Sequence, residues 1–398
     1  MKGKRNMQKM KNQAVTIVAL TTVLSAFALV SAFGSPKVSV FATGLNNPRG
    51  LKFGPDGYLY VAEGGIGGSN STVGCCEQAG PDGTGPYTGS TTGSRISKID
   101  PNGVRSTAVD NLPSSQASPL VGSVVEGAQD VAFIGNTLYI LLAGAGCSHG
   151  VPQVPAMPNG VLRVNADGST DLIANLSAFL MAFPVAHPEP TNGSPDSDFE
   201  PDGTWYSMIA ARDGNQVYLY AVEPNHQEID RISPTTGEIS RVVDVSASFA
   251  PPNDTNRNWV GPTAIAAREN DHFFFGNLGP FPIEPGTQQI RELNPHNGQF
   301  RVVAEGLTAV LGVAFDSKHR MYVLETSTSA GGPNPGDGKV VRMDHPDGGP
   351  HDRDQTVIAS GLTFPTAMTF GPDGALYVSN VGFGGAPGDG QVLKITVP

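Results

Sequence analysis

One fourteen-residue unit recurs through the chain and limits what it can become. Gly50 to Glu63 reads GLKFGPDGYLYVAE: an apolar run, a Gly-Pro-Asp-Gly turn and an alternating run, the pattern of an antiparallel hairpin. Thr366 to Asn380 repeats it as TAMTFGPDGALYVSN, and weaker copies lie at Gln129 to Leu142, Tyr206 to Val222, Pro262 to Asn277 and Leu311 to Glu325. Each of the first five copies leads, after a loop of variable length, into a second hairpin: Arg95 to Val109, Val161 to Ala174, Glu228 to Val243, Gln289 to Val303 and Lys339 to Ile358. The sixth is followed by a lone strand, Gln391 to Ile395.

A four-stranded unit of about 40 to 50 residues cannot bury both its faces alone, and a row of such units is satisfied by closing into a ring. The last unit lacks a fourth strand. Lys37 to Leu45, KVSVFATGL, matches the fourth strand of the preceding unit, Gln355 to Leu362, QTVIASGL. The spacing therefore predicts an all-β fold, a six-bladed β-propeller over residues 35–398, closed by the first strand pairing with the last three so that no sheet edge stays open.

Ahead of that strand, Lys2, Lys4, Arg5, Lys9 and Lys11 precede an uncharged stretch, Ala14 to Phe33, and then the small residues Gly34 and Ser35. Residues 1–34 are expected to be an export signal or, uncleaved, an amino-terminal anchor. Either way the propeller is expected to be secreted or periplasmic, and the chain is not an integral multi-span membrane protein. Removing the leader takes five of the 25 basic residues and none of the 36 acidic ones, so the formal charge moves from −11 to about −16. Such a surface excludes nucleic acid as an expected partner, because phosphate contacts need basic patches.

The long, irregular connections are predicted on one face of the ring: residues 64–94, 144–160, 176–204, 246–261, 276–287, 326–338 and 381–390. The opposite face has short turns such as Pro101-Asn102-Gly103 and His296-Asn297-Gly298. A small molecule, glycan or protein is expected on the long-loop face. Leu176 to Phe183 is the nearest approach to a helix. The three cysteines fall in these loops, and export favours a disulfide between Cys147 and Cys75 or Cys76; a bridge within the adjacent pair is the other reading.

Strand two of the units ends at Glu63, Gly144, Glu223, Asn277, Glu325 and Asn380. Glu63, Glu223, Asn277, Glu325 and Asn380 are candidate oxygen ligands for a hard cation in the channel, Ca²⁺ above all. A metal there would activate a carbonyl or a water for lactone or ester hydrolysis. Capping of neighbouring turns is the structural explanation of the same residues. Asp196, Asp198, Glu200 and Asp202 read as a solvated acidic loop, with structural calcium as the other reading. Among the histidines, His226 is a candidate acid or base, whereas His149, His272, His296 and His319 are expected to be exposed, and His345 and His351 to flank a turn. Trp205, Trp259 and Phe281 border the large loops.

The GLxFGPDGxLYV units, the exported start and the glycine-rich insertion with Cys75 and Cys76 resemble the bacterial ScyD/ScyE family of exported propellers, related in pattern to NHL-type six-bladed repeats. The resemblance covers about residues 38–398 and implies a fold, without a settled activity. More distantly, the chain is similar to gluconolactonase, paraoxonase and strictosidine synthase propellers. The first two of these imply a channel cation held by residues of the kind of Glu63, Asn277, Glu325 and Asn380. Two readings follow: an exported binding or scaffold propeller, and a metal-dependent lactonase or esterase.

Overall fold

Alternation and turn chemistry build the hairpins. In the computed structural model, residues 36–73, 87–117, 125–151, 157–186, 202–248, 260–269, 272–344 and 354–397 are described. The leader, Cys75, Cys76, Asp196, Asp198, Glu200, Trp259, His345 and His351 lie outside the described residues. In chain order the strands are β1 (Lys37–Leu45), then β2 (Pro48–Phe53), β3 (Leu59–Glu63), β4 (Asn70–Ser71), β5 (Thr88–Ile99), β6 (Arg105–Gln116) and β7 (Val125–Glu126), which form blade 1 and its extension. Blade 2 follows as β8 (Ala128–Ile134), β9 (Thr137–Leu142), β10 (Gly160–Val164) and β11 (Thr170–Asn175), and a short helix, α1 (Leu176–Ala182), leaves it.

Blade 3 is β12 (Ser207–Asp213), β13 (Gln216–Glu223), β14 (Glu228–Ile232) and β15 (Ile239–Asp244). Blade 4 is β16 (Pro262–Glu269), β17 (His272–Asn277), β18 (Gln288–Leu293) and β19 (Phe300–Leu307), and blade 5 is β20 (Val310–Phe315), β21 (Met321–Glu325), β22 (Gly338–Met343) and β23 (Gln355–Leu362). Blade 6 takes β24 (Ala367–Phe370), β25 (Leu376–Asn380) and β26 (Gly390–Thr396) from the end of the chain and β1 from its start. β1 runs antiparallel to β26, from Lys37 opposite Thr396 to Leu45 opposite Gly390. The ring is a six-bladed propeller closed as the repeat predicts.

There is no single central core. Six apolar slabs each fill the space between two neighbouring blades, such as Leu45, Leu51, Val61 and Val392 between blades 6 and 1, and Val303, Val310, Val323 and Val341 between blades 4 and 5. This arrangement lets a repeat ring outgrow the usual size of one core. The repeat motif supplies the joints. Its strand-two aromatic meets an aromatic of an adjacent blade edge-on or tilted: Tyr60 with Phe133, Phe274 with Phe315, Tyr322 with Phe370 and Tyr377 with Phe53, at ring-centroid distances of 4.9 to 5.0 Å. Tyr220 meets Phe273 at 4.7 Å in the same way. Between blades 2 and 3 the corresponding Tyr139 packs among aliphatic residues that include Ala210. The turn aspartate completes the unit: Asp56 accepts from the Tyr60 hydroxyl at 3.0 Å and pairs with Lys98 at 2.7 Å, and Asp373 does the same with Tyr377 at 3.0 Å and Lys394 at 2.6 Å.

Two boundaries differ from expectation. β5 and β6 continue past the predicted Arg95 to Val109 hairpin, with Thr88, Gly89 and Ser90 pairing Gln116, Ser115 and Ser114. Their threonine-rich sequence suits an extended backbone, and a register shift between Ser90 and Ser94 bends the ribbon over the long-loop face. In blade 2, strand two ends at Leu142 rather than Gly144, so an aliphatic residue stands where the other blades carry Glu or Asn. The helix expected near Leu176 to Phe183 is present as α1, capped by Asn175, whose side chain accepts from the Ala178 N–H at 2.9 Å.

Candidate functional site at the channel mouth

The five candidate cation ligands are each engaged within or beside their own blade. Glu63 Oε2 accepts from the Asn46 N–H at 2.6 Å, Glu223 Oε1 from Thr204 N–H at 2.7 Å, Glu325 Oε1 from Thr308 N–H at 2.6 Å, and Asn380 Oδ1 from Thr363 N–H at 2.9 Å. In all four the donor belongs to the connection leading into the same blade, so the side chain pins the incoming chain to the end of strand two. Their other partners come largely from strand three. Glu63 Oε1 meets Arg95 Nε at 2.9 Å, Glu325 Oε2 meets Lys339 Nζ at 2.9 Å, Asn277 Oδ1 accepts from Arg291 Nη1 at 3.3 Å, and Asn380 Nδ2 donates to Gln391 at 3.4 Å. Burial lifts the Glu325 carboxyl above its ordinary range, with Lys339 and the Thr308 N–H opposing. Three of the five thus already face a cationic side chain, and among the described residues no group of three or more His, Cys, Asp and Glu is arranged to hold a metal.

A different set of polar groups gathers where the innermost strands begin. Arg49 opens blade 1, Gln129 stands near the start of blade 2, Tyr206 immediately precedes blade 3, and Thr366 immediately precedes blade 6. The Tyr206 N–H bonds Val222 O and the Thr366 N–H bonds Ser379 O, the same step in blades on opposite sides of the ring. From there the Tyr206 hydroxyl spans the axis and donates to Thr366 O at 3.3 Å. Thr366 Oγ1 donates to Pro48 O at 2.6 Å and Thr263 Oγ1 to Val310 O at 2.6 Å, clasping neighbouring blades around the channel. Asp130 does so by accepting from the Met208 N–H at 2.8 Å and Ser207 Oγ at 3.2 Å; its carboxyl is raised by burial.

Beside this ring, Arg49 Nη2 donates to Val125 O at 2.6 Å, next to Glu126. Glu126 Oε2 lies 3.1 Å from His149 Nε2, and Tyr87 packs edge-on to the imidazole at 5.1 Å. Ser148 Oγ is 3.4 Å from His149 Nδ1 and also donates to Asp202, whose carboxylate accepts from the Ser148 N–H at 3.0 Å. The sequence places His149 in an exposed loop; it is buried, as are Glu126 and Ser148. The turn Cys147–His149 is held against the β5 ribbon, where a Cβ on Gly89 would overlap the His149 carbonyl. Cys147 itself is disulfide-bonded.

His226 forms a second histidine–carboxylate pair, with Nδ1 3.2 Å from Glu223 Oε2. The Glu126 charge bears on the Tyr206 hydroxyl, tying the first pair to the channel. His272 and His296 are half exposed and pair with Glu292 and Asp213 at 2.6 and 3.6 Å. Trp205 is fully buried between blades 2 and 3, and Phe281 is exposed. A cleft of about 420 Å³ between Pro55, Asp56, Tyr60, Phe133 and Asn136 lies on the short-turn face, away from these groups. No helix among the described residues is long and apolar enough to cross a membrane.

No protein-family model matches the sequence, and no curated protein is significantly similar to it. Solved structures share the fold. A Thermus thermophilus protein described as an oxidoreductase (glucose dehydrogenase) is 16% identical over 91% of this chain and 100% of its own, with a TM-score of 0.52. A gluconolactonase from Xanthomonas campestris is 12% identical over 92% and 90%, also at 0.52, and the PQQ-bound aldose sugar dehydrogenase of Streptomyces coelicolor is 14% identical over 92% and 99%, at 0.50. At these identities the likeness is one of fold.

Proposed function

We propose that this chain is an exported propeller enzyme of the ScyD/ScyE type that opens a lactone or ester at the long-loop mouth of its channel, with His149 as general base. The observation that carries this reading is the buried Glu126–His149 pair beside Arg49 and Tyr206. Glu126, accepting from Nε2–H, leaves Nδ1, which faces Ser148 Oγ at 3.4 Å, as the unprotonated nitrogen that takes a proton from a water attacking the carbonyl; the departing alkoxide recovers that proton. Fold neighbours named gluconolactonase and sugar dehydrogenase support a small-molecule site over a purely structural ring. The disulfide of Cys147, assigned here to Cys75 or Cys76, holds the His149 turn and suits an exported chain.

The test is turnover by the mature protein on a panel of lactones and esters. His149→Gln is expected to lower kcat about 100-fold or more, the usual scale of general-base loss, while His226→Gln stays within a few-fold. Equal rates in wild type and His149→Gln would refute the assignment, and ligand binding without turnover by the wild type would leave a binding propeller.

A channel calcium is the second reading, favoured by the oxygen-rich set Glu63, Glu223, Asn277, Glu325 and Asn380. As they stand these groups do not fit a divalent ion, because Arg95, Arg291 and Lys339 occupy the sides from which it would be bound. No step of the proposed hydrolysis is therefore routed through a metal. The expected result is a thermal melt unmoved by EDTA and no calcium after dialysis; one calcium per chain with a melt that falls on chelation would put the metal ahead.

A further inference from the structure

We infer that the channel mouth carries an anion subsite, built on Arg49 with Tyr206 and Gln129, that takes the carboxylate of a small organic acid. This deepens the reading above by naming the charge of the ligand. The first observation is an unmatched charge. Arg49 is 7% exposed, and no carboxylate among the described residues pairs with it; its Nη2 is spent on the Val125 carbonyl, and its Nε has no partner. A buried guanidinium is ordinarily paired, because leaving its charge without a counter-ion inside a protein is costly. The other buried arginine among the described residues, Arg291, bonds Asn277 and Gln289 and feels the nearby Glu305.

The surroundings combine donors with acceptors: the Val125 and Thr366 carbonyls stand beside the arginine and the tyrosine, and the Asp130 and Glu126 charges bear on the Tyr206 hydroxyl, so the guanidinium is the group that would hold an anion here. The Tyr206 hydroxyl crosses the channel to Thr366 O, within the field of the Arg49 charge. Gln129, at the corresponding place in blade 2, is buried with its Oε1, an acceptor, unpartnered, so its side chain would have to present the amide N–H instead to meet a carboxylate. Gly64 keeps the flank of the arginine clear: a Cβ there would stand 3.5 Å from Arg49 Nε and 2.8 Å from Val125 O.

One fixed positive charge with one hydroxyl donor matches a monoanion of planar, two-oxygen geometry, which a guanidinium edge meets with parallel hydrogen bonds. A dianionic phosphate would leave one charge uncompensated beside the single guanidinium of Arg49, in a protein whose formal charge is already negative. Carboxylate binding would move the Tyr206 hydroxyl from Thr366 O to the ligand, so the hydroxyl keeps an acceptor while the ring gives up its bond across the channel. In a lactone hydrolase the same subsite would hold either a carboxylate of the substrate or the one that ring opening creates.

The experiment is calorimetric titration of the mature protein at pH 7 and low salt with acetate, lactate, gluconate and benzoate, and with uncharged glucose and inorganic phosphate as controls. No turnover is needed, so its failure is separate from failure of the His149 assignment. At least one carboxylate is expected to bind, glucose and phosphate at least tenfold more weakly. Arg49→Gln is expected to lower carboxylate affinity about 10- to 100-fold and Tyr206→Phe about tenfold, the range for charge-assisted and neutral hydrogen bonds. Arg49→Lys, which keeps the charge if the glutamine variant does not fold, should retain part of the affinity and lose selectivity between carboxylates. The inference is overturned if no carboxylate binds the wild type, if glucose or phosphate binds as well, or if folded Arg49→Gln binds unchanged.

Discussion

Deleting residues 37–45 is expected to leave no cooperatively folded monomer. β1 makes the fourth strand of blade 6, with seven residue pairs along β26, and it places Ala42 and Leu45 in the slab between blades 6 and 1. Phe41 adds an edge contact to Tyr377 at 5.0 Å. Burying one leucine is worth roughly 1.5 to 3 kcal/mol, and each ladder hydrogen bond about 0.5 to 1.5 kcal/mol. The sum rivals the roughly 5 to 15 kcal/mol that separates a folded domain from its unfolded state. The deletion also bares β26 as an edge to which other chains can add. Circular dichroism melts and size-exclusion chromatography check this: a broad, non-cooperative melt with soluble aggregate is expected, and a sharp monomeric transition near the wild-type midpoint would show that the ring does not depend on its closing strand.

Raising the pH from 5 to 8 is expected to lower the melting midpoint by several degrees, and Glu228→Gln to remove most of that slope. Glu228 lies directly across the ladder from Glu223, with Asp230 two residues along on the same face. Arg241 Nε donates to Glu228 Oε2, His226 and Asp244 complete the charged surroundings, and Glu228 Oε1 and both Asp230 oxygens have no hydrogen-bond partner. Burial, opposed by Arg241, pushes the Glu228 carboxyl up to about 7, and burial with the Glu228 charge raises Asp230 well above the carboxylate range. A folded-state value above the unfolded one means that the folded protein holds the extra proton. Its stabilisation is complete below about pH 4.5 and is lost as the pH rises through about 7, on the order of 3 kcal/mol for such a shift. Melts at intervals of half a pH unit suffice. Equal slopes in wild type and Glu228→Gln would place the titration elsewhere.

The architecture was legible because a propeller repeats its physics. The same turn, the same aromatic partner and the same apolar alternation return in blade after blade, and the mismatch between chain ends announced the closing strand. The site was less legible, for a local reason in each case. Glu63, Glu223, Glu325 and Asn380 recur because each anchors the backbone entering its blade, a role that looks like a ligand set when only the residue types are seen. His149 sits in a loop by sequence, and its burial comes from a ribbon of glycine and threonine whose packing against that loop no periodicity reveals. Arg49 did leave a trace. In a repeat position that other blades fill with Gln, Tyr, Thr or Leu, it alone carries a charge.

The aromatic joints also decide where the ring gives. Five seams are stapled by ring-on-ring contacts, and the seam between blades 2 and 3 has instead aliphatic packing, Trp205, α1 and the Asp130 clasp on Ser207 and Met208. Compliance in such a ring concentrates at the joint built differently. That joint separates Glu126 and His149 on one side from Tyr206 on the other, so strain taken up there is spent in changing the width of the channel mouth, while the remaining blades keep their spacing.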